Sequence, residues 1–153
     1  MTQVFLRDVT ESDLPILFEQ QLDPEATAMA AFPSRDREAF MAHWAKIMAD
    51  EKGIIKTVLF SDQIAGSILS WEMDGEREVG YWFGREFWGK GIATQGLSQY
   101  IKLVKTRPLY AHVAQHNTGS RRVLEKCGFK VIGEDSYTNP AGADVEEFIF
   151  KLE

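Results

Sequence analysis

The sequence predicts a single α/β domain of the α+β type, built on a mixed sheet. Short apolar stretches separated by tight turns follow one another between residues 54 and 84, which is typical of antiparallel strands. Between residues 78 and 133 strand-like and helix-like stretches alternate, which indicates a parallel crossover in the same sheet. Residues 1–153 contain no repeat, low-complexity tract or linker, so one domain is expected to span them.

The N-terminal part of the chain is predicted to form one strand and two helices. Residues 4–9 suit a short strand, and residues 10–13 can begin a helix, with an oxygen side chain as cap and acids in the first turn. Asp23-Pro24 is expected to interrupt this helix. A second helix is predicted from about Ser34 to residue 50, because apolar side chains recur there at helical spacing.

The rest of the chain is predicted to contain six strands and two helices. Asp74-Gly75 is a strong hairpin turn signal, and Gly128 suits the end of a helix. The predicted strands span residues 54–60, 64–73, 78–84, 109–114, 130–133 and 145–152. The predicted helices are one opened by residues 89–91 and one at 117–126.

Composition limits the kinds of partner. The net charge is -6 and no dense run of Lys and Arg occurs, so no nucleic-acid partner is expected. An acidic surface favours a cationic partner such as an amine. Cys127 is the one cysteine, which excludes an intrachain disulfide and favours a reducing compartment. Its apolar neighbours favour a buried structural thiol over a nucleophile.

A cytoplasmic location is expected. The opening residues lack the basic start and the apolar stretch of a signal peptide. No apolar run approaches the roughly 20 residues that a membrane span needs, so no membrane partner is expected.

The most specific motif is a glycine-rich segment between a strand and a helix, Trp88-Gly89-Lys90-Gly91-Ile92-Ala93-Thr94. Its glycines let the backbone curl, and the free N–H groups of the helix start complete a natural cradle for a pyrophosphate. A glycine-rich turn that binds nothing explains the glycine spacing equally well. The segment matches neither a P-loop nor a dinucleotide fingerprint, since Thr94 stands where the latter needs Gly or Ala.

A second polar segment, Asn117-Thr118-Gly119-Ser120-Arg121-Arg122, opens a later helix. Asn117 can both donate to and accept from a ligand amide, or it can simply cap the helix, as can Thr118. The cations of this helix can reach a phosphate or remain solvated. They are Arg121, Arg122 and Lys126.

Three segments carry a family resemblance. They are Glu78-Val79-Gly80-Tyr81-Trp82-Phe83-Gly84, Phe87-Trp88-Gly89-Lys90-Gly91-Ile92-Ala93-Thr94, and Asn117 to Phe129 with its Lys126-Cys127-Gly128-Phe129 ending. Together with residues 6–14 they resemble the GNAT acetyltransferase superfamily. Within it, the chain is most similar to the branch typified by ribosomal-protein N-terminal acetyltransferases.

The resemblance implies a mostly antiparallel mixed sheet with splayed fourth and fifth strands and about four flanking helices. Acetyl-coenzyme A is the implied cosubstrate, with its pantetheine arm between the splayed strands and its pyrophosphate on the glycine-rich segment. No metal is expected. The residues implied to bind the cosubstrate are Trp82, Phe83, Gly84, Trp88, Gly89, Lys90, Gly91, Ile92, Ala93, Thr94, Asn117, Ser120 and Arg122.

Two positions depart from the family pattern. Trp88 stands where the family usually has Arg or Gln, but backbone N–H groups do the binding in that segment. Leu124 stands where many members place a Tyr that protonates the leaving thiolate. Ser120 is the candidate substitute for this acid.

Glu78 is the first candidate for the general base, because it opens the strand where the family often carries a base that acts through water. Strand alternation places it on the same face as Trp82, and burial there would raise its pKa toward the useful range. An exposed carboxylate near Arg77 is the alternative interpretation. The further candidates are Glu72, His112 and His116, although a lone strand histidine is more often structural.

Direct acetyl transfer from acetyl-coenzyme A to a primary amine, within a ternary complex, is the predicted function. A backbone N–H of Phe83 or Trp82 would stabilise the oxyanion. A protein N-terminus and a small amine remain equal candidates for the acceptor. A non-catalytic module that binds acetyl-coenzyme A is the alternative function, and both monomer and homodimer stay open. The residues expected to shape the acceptor pocket are Trp44, Trp71, Trp82 and Tyr137.

Overall fold

The computed structural model describes residues 3–153, so Met1 and Thr2 of the stretch searched for a signal peptide lie outside the described residues. The chain forms one sheet with the strand order β1-β2-β3-β4-β5-β7-β6. The strands are β1 (Val4–Asp8), β2 (Ile54–Phe60), β3 (Gln63–Met73), β4 (Glu76–Phe83), β5 (Leu109–Ala114), β6 (Lys130–Thr138) and β7 (Asp144–Leu152). The α-helices are α1 (Leu14–Gln20), α2 (Pro24–Ala30), α3 (Arg37–Ala49), α4 (Ile92–Leu103) and α5 (Thr118–Lys126).

The pairing of β4 with β5 is the one parallel ladder of the described sheet, and it is short. It consists of two pairs, Arg77 with Leu109 and Glu78 with Tyr110, after which the two strands separate. All other neighbouring strands are antiparallel. The prediction of a mostly antiparallel mixed sheet with separated central strands is therefore confirmed.

The segment Asp23-Pro24 follows the end of the first helix, as predicted, and it also begins an additional helix. The Asp23 side chain accepts a hydrogen bond from the Glu25 N–H at 3.2 Å. Pro24 suits the first helical position, where the missing N–H costs nothing and its fixed φ fits the helix. Residues 3–153 thus contain five α-helices rather than about four, and α3 begins at Arg37 rather than near Ser34.

Two apolar cores lie on opposite faces of the sheet. On β3, Ile68 belongs to the larger core and its neighbour Leu69 contacts the smaller one, as strand alternation requires. Helices α4 and α5 supply buried residues such as Leu97 and Leu124 to the larger core. The smaller core is formed by α1 and α3, including Trp44. Strand β3 is therefore covered on both faces.

Cys127 is half-buried at the end of α5 and contacts α4. Its Sγ donates to the Thr94 carbonyl oxygen at 3.5 Å, and burial raises the pKa of the thiol. Both observations favour a structural role. Among the residues that the structure describes, no helix has the length and apolar character needed to cross a membrane.

A buried carboxylate fastens the first strand to the first helix. Asp13 is 2% exposed and accepts two hydrogen bonds from the Arg7 guanidinium, at 2.7 and 2.8 Å. It also accepts from the Thr10 N–H at 2.9 Å and from the Thr57 hydroxyl at 2.8 Å. The hydrogen bonds from Arg7 are the main reason why the pKa of Asp13 falls to about 2.

Substituting Asp13→Asn is expected to lower the free energy of unfolding by roughly 2 kcal/mol at pH 7. Because the folded-state pKa lies below the unfolded-state value, the charged form stabilises the protein above about pH 4. This contribution is lost as the pH falls toward 2, with roughly half gone by pH 3. Urea unfolding of the wild type and of Asp13→Asn between pH 3 and pH 7 measures how the difference between their free energies of unfolding shrinks as the pH falls.

Asp36→Asn is the matched control, since Asp36 caps α3 by accepting from the Ala39 N–H and Asn is about as good a cap. Its effect should stay within a few tenths of a kcal/mol. If the difference in free energy of unfolding between wild type and Asp13→Asn is as large at pH 3 as at pH 7, the charge of Asp13 contributes nothing to stability.

Candidate active site

A cavity of about 580 Å³ opens where β4 and β5 separate. The end of β4, the glycine-rich segment and the start of α5 form three of its walls, and α2 forms the fourth. The residues that line it are Ala26, Met29, Ala30, Tyr81, Trp82, Phe83, Phe87, Trp88, Gly89, Gly91, Ile92, Ala93, Thr94, Asn117, Thr118, Gly119, Ser120, Arg122, Val123 and Lys126. The structure thus brings together both motif segments, and it adds α2, which sequence reasoning missed.

The open N-terminus of α4 forms one end of the cavity. Gly89 and Gly91 adopt φ values of 72° and 77°, a left-handed conformation that favours glycine. The first helical hydrogen bond is donated by the Gln95 N–H to the Gly91 carbonyl, so the N–H groups of residues 92–94 precede it. The first turn carries no acidic residue. This end of the cavity is therefore suited to an anion.

Two cations of α5 line the same cavity. Arg122 and Lys126 belong to its wall. Arg121 does not, because its guanidinium stacks on the Phe148 ring at 4.6 Å and donates to the Gln115 carbonyl at 3.2 Å. Of the three cations that the sequence offered for a phosphate, the structure brings two to the cavity.

Trp88 ties the glycine-rich segment to the end of β4. Its indole N–H donates to the Phe83 carbonyl at 3.1 Å, so the side chain holds the segment in place. The Gly84 N–H donates to the Ala65 carbonyl at 2.9 Å, and its Cα faces Gln20 of α1. Gly84 therefore lies away from the cavity, as does the exposed Lys90. For these two residues the structure does not support the predicted cosubstrate contact.

Asn117 can cap α5 and contact a ligand at the same time. It caps α5, since its side-chain oxygen accepts from the Ser120 N–H at 3.2 Å. The acceptor half of the amide is thereby used, and the NH₂ group is the half left to meet a ligand in the cavity.

Two hydroxyl groups meet on the cavity wall. The Tyr81 hydroxyl lies 2.7 Å from Ser120 Oγ, and it also donates to the Ser120 carbonyl at 3.2 Å. Burial is the main reason why the pKa of Tyr81 rises above its usual range. Leu124 is buried in the larger core, as expected for a residue without acid chemistry. Sequence reasoning found Ser120 but missed Tyr81, whose partner lies on a different element.

Glu78 is buried rather than exposed, so the interpretation as a strand-end carboxylate beside Arg77 was wrong. The residue is 4% exposed, and its Oε1 lies 2.9 Å from His112 Nε2. Its other oxygen, Oε2, is buried and has no hydrogen-bond partner within residues 3–153. Burial raises the pKa of Glu78, while the neighbouring His112 opposes that shift. Glu78 does not line the cavity itself; it faces Trp71 across the β3–β4 ladder.

The other candidates for a base lie apart from one another in the structure. Glu72 lies beside Arg77 on the opposite face, with ion-pair distances of 3.7 Å to Arg77 and 3.4 Å to Lys52. His116 is exposed, and its Nε2 lies 2.8 Å from the Ala28 carbonyl. His112 is not a lone strand histidine, since it contacts Glu78.

The aromatic residues expected to shape the acceptor pocket lie in different parts of the structure. Trp44 packs against Phe40 in the smaller core, so it shapes the core and not a pocket. Trp71 lies over Gly80, and the Trp82 indole N–H donates to the Gln20 carbonyl at 3.2 Å. Tyr137 lies on β6, where the charges of Glu147 and Asp135 contribute to a raised pKa after burial.

Comparison with known proteins gives one consistent result. The family model of the acetyltransferase (GNAT) domain matches residues 3–130. YdaF of Bacillus subtilis, a proposed ribosomal N-acetyltransferase, is 31% identical over 100 residues, which cover 61% of this chain. The match spans only 55% of the length of that relative.

Solved structures share the fold. A GNAT-family acetyltransferase from Bacillus anthracis superposes with a TM-score of 0.83 at 21% identity, covering 99% of this chain and 95% of that one. The spermidine N-acetyltransferase from Vibrio cholerae, solved with CoA and spermine, has a TM-score of 0.79 at 18% identity, covering 97% of this chain and 95% of that one.

Gly91→Asp is expected to weaken coenzyme A binding at least tenfold, because a carboxylate placed at the α4 N-terminus repels the pyrophosphate. A Cβ at this position meets no atom within 4 Å, so charge and the left-handed φ, rather than crowding, cause the effect. Isothermal titration calorimetry with coenzyme A measures the loss of affinity.

Gly75→Asp is the matched control, since Gly75 has φ 80° and equally open surroundings in the β3–β4 hairpin. Both variants should lose roughly 1 kcal/mol of stability from backbone strain. Only Gly91→Asp should lose affinity. Equal affinities in the two variants would place the pyrophosphate elsewhere.

Proposed function

Because the chain belongs to the acetyltransferase (GNAT) family, we propose that it transfers the acetyl group of acetyl-coenzyme A to a primary amine. One observation carries the proposal. The open N-terminus of α4 and the unpaired edge of β4 meet in one cavity, with cations at one end and hydroxyl groups on the wall. A phosphate-bearing, extended thioester suits such a site.

The cavity offers a separate contact to each part of acetyl-coenzyme A. The N–H groups of residues 92–94 would receive the pyrophosphate, with Arg122 and Lys126 adding positive charge. Beyond Glu78, the edge of β4 that faces β5 has no strand partner, so its backbone groups can bond the pantetheine amides. The Asn117 NH₂ group would donate to an amide carbonyl.

The amine would attack the thioester directly, without a covalent enzyme intermediate. A backbone N–H of Trp82 or Phe83, on the unpaired edge of β4, would stabilise the oxyanion. Ser120 would donate its proton to the leaving thiolate. The Tyr81 hydroxyl, 2.7 Å away, would hold Ser120 in place, and Ser120 would recover its proton from the attacking nitrogen as the intermediate collapses to the amide.

Glu78 would remove a proton from the amine through a water molecule. Its buried position raises its pKa toward the range in which a carboxylate can act as a base near neutral pH. The residue sits at the last backbone pair before β4 and β5 separate, next to the point where the thioester would lie.

The acceptor is proposed only as a primary amine. YdaF is named for ribosomal proteins, and the Vibrio cholerae enzyme was solved with spermine. A protein N-terminus and a small polyamine are therefore both candidates, and the net charge of -6 favours a cationic acceptor of either kind.

A second candidate function is non-catalytic binding of acetyl-coenzyme A. It is favoured by the burial of Glu78, whose Oε2 is not exposed to the cavity. An acetylation screen with peptides and small amines separates the two. Binding of acetyl-coenzyme A without transfer to any amine would favour this second function.

Acetyl-coenzyme A is expected to raise the melting temperature, whereas NAD and ATP are not, because they lack the pantetheine arm that the β4 edge would bind. At about 100 times its dissociation constant the ligand adds roughly 2.7 kcal/mol to the free energy of unfolding. Differential scanning fluorimetry measures the shift. A melting curve that stays flat up to millimolar acetyl-coenzyme A would contradict the proposed cosubstrate.

Glu78→Gln is expected to lower turnover about a hundredfold or more at pH 7, with acetyl-coenzyme A affinity unchanged. Gln keeps the shape of Glu78 and removes its basicity. The loss should shrink at high pH, where the amine deprotonates in solution. Initial rates across pH 6–10 measure both effects.

Glu72→Gln is the control, one strand away on the opposite face, and it should keep normal turnover. Full turnover of Glu78→Gln at pH 7 would exclude Glu78 as the base. If Glu72→Gln and His116→Ala also keep full turnover, solvent is the proton acceptor.

A further inference from the structure

Four titratable side chains form a continuous path beside the cavity. Glu78 Oε1 lies 2.9 Å from His112 Nε2. The other ring nitrogen of His112, Nδ1, lies 3.4 Å from Asp135 Oδ2 and 3.5 Å from Glu147 Oε1. The path therefore runs through both nitrogens of one imidazole ring, from β4 through β5 to β6 and β7.

Exposure increases from Glu78 through His112 to Asp135, while Glu147 stays largely buried. The Glu78 side chain is 5% exposed, and those of Glu147 and His112 are 14% and 33% exposed. Asp135, at 41%, opens to solvent. One end of the path is thus buried where β4 and β5 separate, and the other end reaches water.

The proposed reaction requires such an outlet. A protonated amine and acetyl-coenzyme A yield an amide, a thiol and one proton, so each turnover leaves one proton to be released. Glu78 can take that proton but, being buried, cannot pass it directly to solvent. Within residues 3–153, the one polar side chain that contacts a Glu78 oxygen is His112.

We propose that His112 carries the proton released by the amine from Glu78 to the Asp135–Glu147 pair, from which it passes to solvent. This inference rests on the proposed function. His112 is a relay residue, since it acts through Glu78 and contacts neither substrate.

The relay balances in protons. Glu78 receives the proton as a carboxyl group, rotates and donates it to His112 Nε2, while the Nδ1 proton moves to a carboxylate oxygen of Asp135 or Glu147. One N–H bond forms and one breaks, so the ring is neutral again. For the next turnover the ring turns about its Cβ–Cγ bond, so that Nε2 gives its proton to water and Nδ1 takes one from water, which restores the starting tautomer.

The surroundings of the path favour proton exchange near neutral pH. Burial, and after it the hydrogen bond to Asp135 and the negative charge of Asp135, raise the pKa of Glu147 to about 7. Glu76 on β4 contributes to the raised pKa of Glu78, after burial. Tyr137 lies beside the same carboxylates on β6. A proton that reaches Glu147 can therefore rest there and leave it again near neutral pH.

His112→Gln tests the relay. The Gln amide can still donate to Glu78 but cannot carry a proton through. We expect kcat at pH 7 to fall about tenfold with the KM for acetyl-coenzyme A unchanged, and imidazole in the buffer to restore part of the rate. His43→Gln is the control, a histidine on α3 outside the path. Loss of rate without rescue by imidazole, or no loss at all, would overturn the relay.

A second measurement does not depend on turnover. The chain has three histidines, so the His112 ring resonances are assigned by comparing His112→Gln and His43→Gln spectra, and their pH titration is followed by NMR. Glu78→Gln and Glu147→Gln should each change the pH dependence of these resonances. An unshifted titration overturns the relay even in an active enzyme. A shifted titration in a protein that acetylates no amine would instead reject the proposed function and leave the proton linkage standing.

Discussion

The separation of β4 from β5 is the constraint on which the other features of the site depend. Each strand keeps a full antiparallel partner on its outer side, β3 for β4 and β7 for β5, so separation removes hydrogen bonds only from their facing edges. The β3–β4 contact is close, since a Cβ at Gly66 would lie 2.2 Å from the Trp82 carbonyl oxygen. The ladders on the far sides of β4 and β5 therefore hold the open edges between these two strands in place.

The two-residue period of β4 divides the chemistry between the faces of the sheet. Tyr81 turns toward the cavity and Ser120, whereas Glu78 turns toward Trp71 and His112. The base candidate and the residue that holds the acid candidate thus come from one strand, three residues apart, yet they lie on opposite sides. Trp82 connects the two regions, because it lines the cavity and also bonds to α1 through the Gln20 carbonyl.

Local patterns were enough to predict most of the elements and the glycine-rich segment. The β2 strand lies where its β-branched residues indicate, and both positive-φ glycines sit where the motif requires them. The helix at Pro24 was missed because a proline that breaks one helix is also the best first residue of the next. Contacts between distant positions were not predictable. Tyr81 meets Ser120 across 39 positions, and His112 meets Glu147 across the β5–β7 ladder. No short-range period specifies such pairs.

The division into two cores has a consequence for how the protein fluctuates. The smaller core, made by α1 and α3, shares no buried side chain with the larger one across the sheet. Its helices can therefore detach as a cooperative unit at a lower free energy than global unfolding requires. The α1/α3 face is then the more dynamic half of the molecule, and its opening leaves the sheet and the α4 N-terminus intact.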